Sequence, residues 1–361
     1  MTRRERLRRA YFHRPMDRPA VYNRTNYPPD DPSYDRLKAY LAQHAELKRI
    51  WPAMREAEPW PTETRTEPIS QDWQRRVKVL HTPDGDLTSS RRVSLTGQPG
   101  LDEIWFVETR QDAEKVLSVP DPVLSDDVDG FFTAEEKVGE AGIAQAALGM
   151  NPAGFVAGRL CGSENFALLS ATDRDVLHAL CERRTALLRD RLEFLLARGV
   201  GPYFGFAGHE FITPPLHGPR DFEDFNVRYD QQLFDLIHEA GGRVHVHCHG
   251  SVKDVMDGFR RAGADVLHPF EAPPCGDIEP AEAKRAARGA ICLEGNIQIA
   301  DMYQSTPEQI RRQVRGLIED CFDDRRGLIV SPTASPYIRG AGQSCFPQYR
   351  AMVEAVRNWG G

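Results

Sequence analysis

The chain has 361 residues, of which 40% are hydrophobic and 27% charged. That profile fits a globular protein able to bury a sizeable core and does not fit a disordered or fibrous chain. The formal net charge of −7 argues against nucleic acid as the main partner, and no apolar run approaches the length of a membrane span. The basic segment "RRERLRR" near the start reads as the solvated face of a short helix. It is followed by no apolar stretch of the kind a secretory signal needs. Seven scattered cysteines with no CxxC pair suggest a reducing, cytoplasmic setting rather than a disulfide framework.

In chain order, residues 1–150 are expected to be irregular. A short amphipathic helix, "TRRERLRRAYFHR", leads into a strand at "PMDRPAVYNRT", with proline setting the turn. A proline- and aspartate-rich loop covers 27–35 and a helix 35–48. "WQRRVKVLHTPDGDLTSSRRVSL" alternates like two strands around a hairpin turn. "RQDAEKVLSV" reads as a short helix.

From 151 to 361 the pattern becomes regular. "GFVAGRL" (154–160) is a strand candidate. A long helix over 173–199 is opened by an Asp173 cap and closed by Gly199. Strands at "PYFGFAGHE", "RVHVHCHG", "DVLHPFE", "AICLEGNI" and "GLIVSPTAS" then alternate with helices. Such alternation implies parallel βαβ units, hence a (β/α)8 barrel or a doubly wound sheet. Neither GxGxxG after the first strand nor GxxxxGK[ST] occurs, which weighs against a nucleotide-binding sheet. In a barrel, chemistry gathers where strands end.

"VHVHCHG" places His245, His247 and His249 on one face of a strand and Val244, Val246 and Cys248 on the other. Valines belong against helices, so the histidines should face inward. Alternate residues lie roughly 6.5–7 Å apart, and zinc–nitrogen bonds are about 2.0–2.1 Å. Two neighbouring histidines can therefore share an ion, while three along a straight strand reach less easily. His247 and His249, nearest the strand's end, are the expected pair. His245 is expected to be a deeper core or supporting residue. A third ligand is expected from Glu210 in "GHE", on the strand before, with His209 as its competitor. Glu271, after "LHPF", could be a fourth ligand, a partner that orients a histidine, or a general base. Glu294 in "LEGN" has the same range of roles. Cys248 reads as core and Cys275 as a loop cysteine. No Ser/His/Asp order or GxSxG is present.

With these residues in place, the chain resembles the uroporphyrinogen decarboxylase superfamily, which includes corrinoid-dependent methyltransferases. "RERLRRAYFHRPMDRPAVY" is similar to the family's opening helix and DRP turn, and "HTPDGDL" to its TPxGxL segment. "VHVHCHG", "AGADVLHPFE", "LEGNI", "STPEQI" and "IVSPTASPY" followed by "YRAMVEAVR" keep the family's C-terminal order. The resemblance implies one domain over 1–361, a single (β/α)8 TIM barrel with an irregular N-terminal region. True decarboxylases of the family use no metal and grip substrate carboxylates with an arginine-rich segment after the first strand. Here that place reads "YNRTNYPPDD", which keeps Arg24 but not the paired arginines and glycine. The methyltransferase branch holds zinc with an HxC pair and a later cysteine. This chain sets His247 and His249 at the pair and Ala334 near the later cysteine, so both thiolates are absent. Imidazole and carboxylate ligands leave a metal more strongly Lewis-acidic than thiolates do. That suits activation of a water, alcohol or ether oxygen and argues against coenzyme M as acceptor.

The expectation is therefore a zinc-dependent methyltransferase acting on a small molecule. His247, His249 and Glu210 would hold the metal and Glu271 would assist catalysis. A corrinoid would arrive on a separate protein, since no DxHxxG signature occurs. Two alternatives stay open: a metal-free carboxy-lyase with a basic pocket, and a catalytically inert barrel that binds a ligand.

Overall fold

The computed structural model describes residues 1–96 and 98–359. Eight parallel strands form one curled sheet: β1 (Ala20–Val21), β2 (Leu47–Pro52), β3 (Gly142–Met150), β4 (Tyr203–Ala207), β5 (Arg243–His247), β6 (Val266–His268), β7 (Cys292–Ile297) and β8 (Leu328–Pro332). Each strand from β2 to β8 pairs with its neighbour in sequence, and β8 pairs with β1. This is the strand order of a TIM barrel. Between β1 and β2 the link is Glu46 rather than a strand ladder. Its backbone N–H donates to the Val21 carbonyl at 2.9 Å, and its carboxylate accepts the Val21 N–H at 2.6 Å.

Helices follow the strands and cover the sheet's outer face. Pro307–Cys321 shows the rule. Thr306 and Gln309 close a reciprocal cap around Pro307, and Ile310, Val314, Leu317, Ile318 and Cys321 fall on one buried stripe. Valines and leucines of β5–β8, on the face turned toward the helices, complete the main core. Between β2 and β3 the chain leaves the barrel to build a four-stranded antiparallel sheet from Thr62–Pro68, Trp73–Leu80, Leu87–Ser94 and Leu101–Ile104. Its central hairpin turns at "PDGD" with Leu80 opposite Leu87. This excursion packs on helix Arg174–Ala197 through a second apolar cluster that includes Leu80, Val107, Val116, Leu177 and Leu180.

Several expectations are corrected. Residues 154–160 are helical, spanning Pro152–Phe155 and Val156–Cys161. Asn151 caps that helix by accepting the Gly154 N–H at 3.0 Å, and Pro152 takes its first turn. The strand lies just before it, at β3. The helix expected over 35–48 ends at His44, and Lys48 belongs to β2. The irregular first 150 residues therefore carry three of the eight strands. Asp173 precedes its helix but does not cap it; its carboxylate accepts from Arg110 Nε at 2.8 Å. The strands expected to reach Glu210 and Gly250 end at Ala207 and His247.

Glu46 is fully buried and also accepts from Arg6 at 2.6 Å and Arg18 at 2.9 Å. Removing one side of a buried, hydrogen-bonded charge set strands the rest and costs roughly 3–5 kcal/mol. Glu46→Ala should lower the denaturant midpoint by a corresponding amount; an unchanged midpoint would show that the link between β1 and β2 does not depend on this carboxylate.

Candidate active site at the carboxyl ends of the strands

A cavity of about 150 Å³ opens on the sheet's inner face. Residues on or just after β1 to β7 line it, among them Tyr22, Arg24, Lys48, His245, His247, His268 and Glu294. At its floor, Lys48 from β2 donates to the Glu294 carboxylate from β7, and both side chains are almost wholly buried. The ammonium also lies 4.6 Å from the Tyr22 ring centre, a favourable face for a cation. His245 Nε2 stands 3.5 Å from Glu294. Burial alone would raise the Glu294 carboxyl, but the Lys48 charge, aided by His245, outweighs it and holds the group well below the usual carboxylate range. Burial lowers Lys48, and Glu294 limits the drop. Burial and the Lys48 charge lower His245. The floor is thus an ion pair beside a neutral imidazole.

Above it the histidines form a directed chain. His268 Nε2 lies 3.2 Å from the Pro332 carbonyl, which can only accept, so this nitrogen carries the proton. His268 Nδ1 is then an acceptor. His247 Nδ1, 3.0 Å from it and 3.1 Å from the His268 carbonyl, must be the donor. Burial keeps both rings far below the ordinary imidazole range and therefore neutral; the Arg24 charge adds to this at both, and Glu294 opposes it at His268 without outweighing burial. His247 Nε2 is left with its lone pair. Arg24 Nη1 is 2.8 and 3.1 Å from the two His247 ring nitrogens. Near-equal distances to both do not fit a bond directed along one in-plane lone pair. The guanidinium instead lies against the ring.

His249 follows β5 and is 40% exposed at its side chain. Its Nδ1 lies 3.1 Å from Glu271 Oε2, which also accepts the Gly250 N–H at 3.0 Å. The carboxylate fixes Nδ1–H as donor and turns Nε2 outward. The His247 and His249 ring centres are 4.7 Å apart. Glu210 sits not on a strand but in the turn His209–Ile212, with Oε2 buried and unpartnered. His209, its competitor, is held by Asp230 at 2.9 Å with both side chains buried. Cys248 is buried and its thiol pushed well up by burial, while Cys275 is exposed. Among the described residues, no three His, Cys, Asp or Glu side chains are gathered closely enough to hold a metal as arranged.

The structure thus brings His249 to Glu271 and sets His247 beside both His249 and His268. Lys48 and His268 were not singled out in the sequence. His268 sits in the quoted "LHPF", but its partners are His247 and a carbonyl 64 residues on. Lys48 finds Glu294 across 246 residues.

The uroporphyrinogen decarboxylase (URO-D) family pattern matches residues 151–359, more than half of the chain. The chain belongs to this family. Among solved structures, it is similar to a methyltransferase from Methanosarcina mazei, with a TM-score of 0.63, 14% identity and 100% of each chain covered. A vitamin-B12-independent methionine synthase from a Shewanella species also matches, with a TM-score of 0.46, 14% identity, and 78% of this chain and 74% of that one covered. No curated protein matches. At such identity the methyltransferase shows the fold, and what a family member does here depends on the side chains above. Among the described residues, no helix is long and apolar enough to cross a membrane.

Breaking the buried pair at the cavity floor should cost roughly 3–5 kcal/mol. Lys48→Met is expected to lose that much stability, and adding Glu294→Leu to regain most of it. Urea unfolding of the two variants tests this; a single variant as stable as the parent would deny the pair its structural weight.

Proposed function

We propose that this URO-D family member is a zinc-dependent methyltransferase that moves a methyl group between a methylated small molecule and a corrinoid carried by a separate protein. The observation behind this reading is the tautomeric arrangement of the two histidines. A metal-bound histidine almost always donates its other ring N–H to a carboxylate or backbone carbonyl. His249 does so to Glu271, and His247 does so to the His268 carbonyl. Both Nε2 atoms remain uncommitted for a ligand role. Glu210 Oε2, buried without a partner, is the carboxylate that would complete the set. As the side chains stand, they do not form a three-ligand cluster, and Arg24 lies on the His247 ring. Metal binding therefore requires Arg24 to move and Glu210 to turn toward the pair. A zinc ion held there would polarise a substrate heteroatom. Glu271 orients His249 and is placed to accept a proton once that hydrogen bond opens. Lys48, Glu294 and Arg24 leave the cavity wall with one excess positive charge beside neutral histidines, which favours an anionic or electron-rich substrate group.

A second reading, a metal-free carboxy-lyase, draws on the same wall. Arg24 and Lys48 line the 150 Å³ cavity and could grip and polarise a carboxylate.

Metal content measured by plasma mass spectrometry separates the two. The methyltransferase reading expects about one zinc per chain, lost in His249→Ala. Glu271→Gln, which weakens the support of His249, should reduce zinc affinity by about 10–100-fold. A wild-type protein that stays metal-free after zinc reconstitution, and releases carbon dioxide from acid substrates in a manner abolished by Arg24→Met, would replace this reading with the carboxy-lyase.

A further inference from the structure

A second cavity, of about 230 Å³, lies between the excursion sheet and helix Arg174–Ala197. It shares no lining residue with the strand-end cavity. Phe106, Phe155, Leu160 and Leu180 form an apolar part of its wall, and Lys78, Arg159 and Arg184 add positive charge. Two polar groups stand in this apolar setting without partners. The Trp60 indole N–H is buried and unpaired, and so is Arg184 Nε. The Arg184 guanidinium lies over the Phe155 ring with 4.2 Å between its centre and the ring's. Burial lowers it to about 10. The preceding residue shows how a structural arginine is satisfied here: Arg183 donates to the Val116 carbonyl at 2.6 Å and to Asp121 at 2.8 Å. Asp121 is thereby committed, and Glu56 is exposed at the rim.

A guanidinium taken out of water is costly unless an acceptor meets it. An indole N–H buried among apolar groups normally finds an acceptor too. Both unpaired groups are donors, so the missing component supplies acceptors and negative charge. Its remainder must be apolar and flat enough to lie among Phe106, Phe155 and the leucines. Volume limits it further. An apolar cavity of about 150 Å³ admits benzene, so 230 Å³ holds one ring with a small charged substituent and excludes a tetrapyrrole. We propose that this cavity is a second ligand site, separate from the strand-end site, that binds a monocyclic aromatic carboxylate with its anion on Arg184 and Trp60 and its ring among Phe106 and Phe155.

The test is calorimetric titration of the full chain with benzoate and with benzamide, its neutral counterpart. Benzoate should bind, and benzamide should bind at least about tenfold more weakly, because a charge-assisted contact to the guanidinium is lost. Arg184→Met keeps the apolar stem on Phe155 and should also weaken benzoate at least about tenfold. Removing a half-buried guanidinium whose Nε is unpaired should leave the thermal midpoint no lower than that of the wild type, so lost affinity would reflect the site rather than the fold. Trp60→Phe should weaken benzoate by a smaller factor, and Arg24→Met should leave it unchanged. No benzoate binding to the wild type, equal affinities for benzoate and benzamide, or binding lost in Arg24→Met rather than Arg184→Met would each overturn the proposal.

Discussion

A parallel sheet that curls on itself has to join its two edge strands, and in this chain one carboxylate makes the join. Glu46 takes the backbone of β1 on one side and two arginines of the N-terminal segment on the other. Because Glu46 immediately precedes β2, holding it sets the register of that strand. Lys48, two residues on, is thereby aimed at the inner face. The buried acid at the seam and the buried base at the cavity floor are thus parts of one strand placement. Each charge is tolerated because a partner from a distant part of the chain meets it. The energy of the arrangement lies in avoiding stranded charges rather than in gaining attraction.

The same logic runs through the histidines. Burial removes their charge, and a neutral imidazole must have one donor nitrogen and one acceptor. The Pro332 carbonyl decides which nitrogen of His268 is which, and that choice passes to His247. A carbonyl at the end of β8 thereby determines which nitrogen of a β5 histidine faces the cavity. Glu271 performs the same service for His249 from the other side. Backbone and carboxylate acceptors outside the cavity therefore set what the cavity can bind.

The histidine strand was legible in the sequence because a period of two needs no knowledge of the rest of the chain. His245 and His247 do line the cavity, and Val244 and Val246 are buried away from it. The later βα units were legible for the same reason, since their caps and apolar stripes are local. β2 and β3 were not. "LKRIWP" alternates between buried and exposed without a clean period, and "GIAQAALGM" is built from alanine and glycine, which favour strands weakly. Both are strands because paired neighbours demand it: β3 lies between β2 and β4, and β2 pairs with β3. Residues 154–160 carry a phenylalanine and a valine that suggest a strand, but the Asn151 side chain and Pro152 start a helix first. Glu210 was expected on a strand and lies in a turn because Gly208, at φ +94°, breaks the extended backbone before it. Lys48 and His268 carry no local mark at all. Their meaning comes from partners that only the curled sheet supplies.

Charge ties these parts together. The chain is acidic overall, at −7, yet basic side chains face both the strand-end cavity and the one under the excursion sheet. At the strand ends the cations are balanced in part by Glu294, which leaves a modest excess beside groups able to ligate or move protons. In the cavity under the excursion sheet cations outnumber carboxylates: Lys78, Arg159, Arg183 and Arg184 face Glu56 and Asp121, Asp121 accepts from Arg183, and Arg184 Nε has no partner. An apolar residue in place of Arg184 would remove the cost of its unpaired Nε, so packing on Phe155 alone does not call for a guanidinium there. A partly balanced site is suited to reaction, where charge has to change. An unbalanced one is suited to holding a fixed anion, where it does not.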